Sequence, residues 1–111
     1  MNSEEKEEVY QEFKTLVNLQ PQELEDFLET EESKSVGWSE DGGESVGHQS
    51  GRRIVKIKRT NKDELSNSQY QHMKKVVGYL KRHLAQEPEN DVEDSNWRYS
   101  LMNWGHDPLK E

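Results

Sequence analysis

A chain of 111 residues with a formal net charge of −8 and only 29% apolar residues has room for one domain and a thin core. It holds no cysteine, which excludes a disulfide-stapled secreted scaffold and a catalytic thiol, and no apolar stretch nears the roughly 20 residues a membrane span needs. With an N-terminus, Met1 to Glu5, that lacks the basic and apolar regions of a signal peptide, the expectation is a soluble, cytoplasmic protein.

Leu, Ile, Val and Phe make up 21 residues, a composition near the border with disorder, which three tryptophans and four tyrosines pull back towards folding. Charge is laid out in blocks. Residues 1–51 carry 3 basic and 14 acidic residues, residues 52–82 carry 10 and 2, and residues 83–111 carry 2 and 7. The order is acidic, basic, acidic.

In chain order, Val9, Tyr10, Phe13, Leu16 and Val17 recur at helical spacing, with Ser3 as N-cap and Glu4, Glu5, Glu7 and Glu8 at the positive end of the dipole. A turn over Asn18 to Gln20 leads to Pro21, placed where a first helical turn tolerates it, and Leu24, Phe27 and Leu28 stripe a second, shorter helix. Residues 3–30 thus read as an acidic helical hairpin. The Ser-, Gly- and Glu-rich stretch 31–44 reads as a long mobile loop, in which Trp38 either plugs the core or stands out for a partner.

Arg52 to Lys62 fits either a strand or a helix. With no second strand to pair with, the helix is preferred: begun near Glu44, it sets Val46, Ser50, Ile54, Ile57 and Asn61 along one side and Arg52, Lys56 and Arg59 along the other. Ser66 and Gln69 form a capping box, and Tyr70, Met73, Val77, Leu80 and Leu84 then make an unbroken stripe, opposite Lys74, Lys75, Gly78 and Arg82. That helix ends near Gln86, and Glu87 to Asp94 is an acidic linker. Trp97, Leu101 and Trp104 stripe a closing helix over 95–105, which Gly105 ends as a left-handed cap.

The segments SGRRIVKIK (50–58), YQHMKKVVGYLKRHLAQ (70–86) and above all WRYSLMNWGHDPLK (97–110) resemble the microbial domain-of-unknown-function family 3140; the N-terminal hairpin fits it more loosely. The resemblance implies a compact all-helical domain and supports a helix over 45–60. Members of that family are often labelled DNA-binding protein. Where the family commonly has RRIV, an acid and an apolar pair, this chain has Lys56 and Lys58, which makes the segment more basic and less apolar.

The expected fold is all-α: a compact single-domain bundle of four to five helices, with an acidic hairpin packed against a basic helix pair (45–86) and a Trp-rich helix closing the core. No serine elbow, phosphate-cradling glycine loop or metal motif is present, so no enzyme, cofactor or small-molecule substrate is expected. His72 and His83 lie about 16 Å apart along one helix, too far to share an ion. The Trp97/Trp104 cluster reads as a core keystone, with Arg98 in an ion pair and His106 bonded near a capped helix end.

Two readings of the basic middle follow. Arg52, Arg53, Lys56, Arg59, Lys74, Lys75 and Arg82 could meet the phosphates of duplex DNA. In the other, the chain's own acidic helices neutralise the basic segment, or an acidic protein partner does, leaving an interaction or structural domain. The overall acidity speaks for the second, and the lack of aromatics beside the cations speaks against single-strand binding.

Overall fold

In the computed structural model, which describes residues 1–36 and 44–110, side-chain caps set where helices start. Asn2 accepts from the Glu5 N–H at 2.8 Å and opens α1 (Ser3–Leu16), so the cap lies one residue before the expected Ser3. Pro21 begins α2 (Pro21–Leu28), where Glu23 accepts from the Gln20 N–H at 2.9 Å. Thr30 caps α3 (Glu31–Ser35), Ser45 caps α4 (Val46–Lys58), Ser66 caps α5 (Asn67–Leu84) and Ser95 caps α6 (Asn96–Asn103). Ser66 and Gln69 make the reciprocal box expected of them, at 3.1 and 2.9 Å. Such caps contribute about 1 kcal/mol each.

Among the described residues there are six α-helices, a 3-10 turn at Lys62–Glu64 and no strand. The helix beyond the five that periodicity predicts is α3, inside the stretch expected to be a loop. The Trp38 expectation lies outside the described residues. Residues 46–58 are helical, which settles the strand-or-helix ambiguity. Val46 is only partly buried, and Asn61 falls beyond the end of α4 and is exposed, because the helix turns off at Arg59.

The core is drawn from all these faces: Val9 and Phe13 of α1, Leu24 and Leu28 of α2, Ile54 and Ile57 of α4, Met73, Val76, Val77 and Leu80 of α5, and Trp97, Leu101 and Trp104 towards the C-terminus. α2 runs antiparallel to α4, with Arg59 beside Glu25 at one end and His48 Nε2 donating to the Leu28 carbonyl at 2.7 Å at the other. α1 and α5 run parallel, because Glu5 meets Lys74 and Glu12 meets Lys81 at the same sequence offset.

The C-terminal segment ties the ends together. Gly105 sits at φ +87°, the left-handed cap expected of it, and the His106 N–H returns to the Leu101 carbonyl at 3.0 Å. His106 Nδ1 donates to the Leu16 carbonyl at 2.6 Å, so it caps the end of α1 rather than α6. Asn18 exchanges two hydrogen bonds with the Asp107 backbone, at 3.0 and 2.8 Å, and Arg98 grips the Asp107 carboxylate with two nitrogens at 3.0 Å. That bidentate pair holds Asp107 below the usual carboxylate range, against the opposing effect of burial.

Candidate nucleic-acid interface

α5 sends its cations to two sides. Lys74 and Lys81, seven residues apart, share the face turned to α1, whose Glu5 and Glu12 have the same spacing; Lys74 Nζ stands 2.9 Å from Glu5, and Lys81 pairs with Glu12. Lys62 pairs with Glu7 and lies over the Tyr10 ring, 4.6 Å from its centroid. From α4, Arg59 reaches Glu25 at 2.6 Å and Arg52 pairs with Glu44. Lys58 turns inward, donating to the carbonyls of Val17 and Leu19 at 3.2 and 3.0 Å, and burial lowers its pKa. Of the two lysines that set this chain apart from the family pattern, only Lys56 adds to an outer positive face.

The seven residues singled out by sequence therefore divide. Arg52, Arg59 and Lys74 face carboxylates, through exposed pairs that solvent screening leaves weak. Arg53, Lys56, Lys75 and Arg82 are exposed and form no ion pair among the described residues. The first three line one groove. Arg53 and Lys75 line a cavity of about 300 Å³ between α4 and α5, and Arg53 and Lys56 line the next depression along it. Arg82 lies two turns beyond Lys75 on the same side of α5, about 10 Å further along.

The groove has a polar floor that no motif announces. Ser50 Oγ meets His72 Nε2 at 2.9 Å, and both residues are buried. The His72 ring stacks near Trp104, whose indole lies 4.1 Å from the Tyr79 ring, and Tyr79 in turn stacks on His83. Burial, with Arg53 and Lys75 nearby, lowers the His72 pKa to about 4, and burial also lowers that of His83. Both imidazoles are neutral at pH 7.

Their unfolded-state pKa is near 6.5, so the unfolded chain binds the extra proton as pH drops below that value. For His72 alone, stability at pH 5 is expected to be about 2 kcal/mol lower than at pH 7, with no change above pH 7. Urea unfolding of the native chain and of His72→Gln at both pH values checks this. A loss of the same size in the variant would show that His72 is not its source.

Among the described residues, no group of three or more His, Asp or Glu side chains is placed to hold a metal, and no helix is long and apolar enough to cross a membrane. Trp97 Nε1 donates to the His83 carbonyl at 2.6 Å and Arg98 is committed to Asp107, so these two residues have the structural role expected of them, whereas Trp104 borders the groove. What the groove offers is a row of three cations without ion-pair partners among the described residues, over a hydroxyl, an imidazole and an indole, with Glu44 and Glu64 also on its walls. Such a row suits an extended anion.

The profile of a family described as "Protein of unknown function (DUF3140)" matches residues 12–102. The chain belongs to that family. The DUF3140 match runs from the second half of α1 nearly to the end of α6, so it contains α4, α5 and the four cations Arg53, Lys56, Lys75 and Arg82. No curated protein and no solved structure matches the chain.

Proposed function

We propose that this DUF3140 domain is a non-enzymatic binding module that takes the phosphate backbone of duplex DNA along the groove between α4 and α5. One observation carries the reading: after the acidic hairpin has taken up Lys62, Lys74, Lys81 and Arg59, three exposed cations of the basic middle that form no ion pair among the described residues, Arg53, Lys56 and Lys75, line one groove, with Arg82 further along the same side of α5. A net-negative protein can contact DNA if its positive charge is gathered locally, since short-range phosphate contacts decide binding and distant repulsion is screened beyond about 8 Å at physiological salt.

Fluorescence anisotropy against a labelled duplex at several salt concentrations tests it. With up to four phosphate contacts, log affinity is expected to fall against log salt with a slope of about −3 to −4. Removing Arg53, Lys56, Lys75 and Arg82 together should abolish binding, while Lys74→Ala and Lys81→Ala should change it less than threefold. No binding at low salt would dismiss DNA as the ligand.

A second reading has its own support. The paired ladder of α1 and α5 is what an interaction or structural domain would build if its basic segment served the fold. It requires the reverse result: no DNA binding, with Lys74 and Lys81 variants felt in stability alone.

A further inference from the structure

Beside the track of cations lies a recess of a different kind. The cavity between α4 and α5 is bordered by Arg53 and Lys75, by Ser50 and His72 on its floor, and by Trp104. Trp104 is 96% buried, being only 4% exposed, yet its Nε1–H donates to none of the described residues. That nitrogen is not sealed in the core either: the one buried polar atom lacking a partner among the described residues is His83 Nε2. An indole N–H in a largely buried ring, open to solvent and bonded to no acceptor among the described residues, is a donor that a ligand can take over from water.

The first turn of α4 borders the same space through Val46 and adds the positive end of its dipole. It stands close to the indole: a Cβ on Gly47 would lie 3.1 Å from Trp104 Nε1. Glu44 also lines the cavity, but its carboxylate is already engaged by Arg52 and His48, so Arg53 and Lys75 leave two positive charges for an occupant.

We infer that this cavity is a pocket for a phosphate monoester dianion, held by Arg53 and Lys75, with the Trp104 indole N–H and the Ser50–His72 pair as its hydrogen-bonding floor. Two cations match the doubly charged terminal phosphate better than the singly charged diester of a DNA backbone. The pocket shares Arg53 and Lys75 with the groove proposed for DNA, but it does not depend on duplex binding. The phosphate can come from a small phosphorylated molecule or from the phosphorylated 5′ end of a nucleic acid.

Titration of the full ¹⁵N-labelled chain with inorganic phosphate, against sodium chloride at equal ionic strength, tests the pocket. The Trp104 indole cross-peak and the His72 ring signals are expected to shift saturably with phosphate alone. The His72 pKa should rise on binding, since the anion offsets Arg53 and Lys75, the cations nearest it, while Glu44 keeps its own partners. Arg53→Ala and Lys75→Ala, at exposed side chains, should each weaken the phosphate response at least tenfold and leave the rest of the spectrum in place. Signals that follow ionic strength only, or a phosphate response that survives both variants, would overturn the pocket.

A 5′-phosphorylated duplex binding tighter than its 5′-hydroxyl counterpart assigns the phosphate to nucleic-acid ends. Equal binding, with a saturable phosphate response, assigns it to small molecules. Duplex binding with an unmoved Trp104 signal refutes the pocket and spares the DNA reading; phosphate saturation without duplex binding does the opposite.

Discussion

Replacing Asn103 by alanine is expected to lower stability by about 4 kcal/mol. Asn103 is 1% exposed and faces Ser33, which is fully buried. Ser33 Oγ donates to Asn103 Oδ1 at 2.5 Å, and Asn103 Nδ2 donates to the Ser33 carbonyl at 3.0 Å. Alanine would leave a buried hydroxyl and a buried carbonyl without their partner, at about 1–3 kcal/mol each, and open a void as well. α3 has few other ties, since Ser33 is its single buried residue. Urea unfolding of Asn103→Ala, Ser33→Ala and the double variant checks the value: the two single losses should be strongly non-additive. A loss below 1 kcal/mol for Asn103→Ala would mean that the pair does not hold α3.

Gly51→Ala is the second large effect, and its sign runs against helix propensity. In the interior of a helix alanine is favoured over glycine by about 1 kcal/mol. At Gly51, however, a Cβ would stand 2.6 Å from Leu28 Cδ2 and 2.8 Å from the Asn103 carbonyl oxygen. A leucine tip can rotate away, but a backbone carbonyl at the junction of α4 and α6 has nowhere to go. The clash outweighs the propensity gain, and a net loss of about 2–3 kcal/mol is expected. Gly78, in the middle of α5, has nothing within 4 Å of its would-be Cβ, so Gly78→Ala should stabilise by about 0.5–1 kcal/mol. Thermal unfolding of the two variants side by side gives opposite shifts in Tm if the helices meet as described, and like shifts if they do not.

The long amphipathic elements were legible because their signals are local. The Tyr70-to-Leu84 stripe, the Ser66–Gln69 box and the left-handed Gly105 each follow from residues within one or two turns. α3 was not legible. Glu31-Glu32-Ser33-Lys34-Ser35 has no apolar stripe, and what fixes it is a contact with Asn103, 70 positions away.

The candidate site divides along the same line. That the middle is basic could be read directly. Which lysines would be spent on the chain's own carboxylates could not, because Lys74 and Lys75 differ only by a 100° step around α5, and only the position of α1 decides between them. The matching seven-residue spacings of Glu5/Glu12 and Lys74/Lys81 were the available clue. For the floor of the groove there was none: Ser50, His72 and Trp104 come from three separate stretches of chain, and each alone looks like ordinary core.

The stitching of Leu16 and Asn18 to His106 and Asp107 bears on how the molecule is made. A ribosome delivers α1 first, yet the helix that covers its apolar face and the histidine that closes its end arrive more than fifty and ninety residues later. Until then α1 has an uncovered side, and His106 and Asp107 act as the clasp. The end of α1 is closed only once His106 and Asp107 have emerged, and losing residues 106–107 would remove the clasp while leaving the residues of every helix in place.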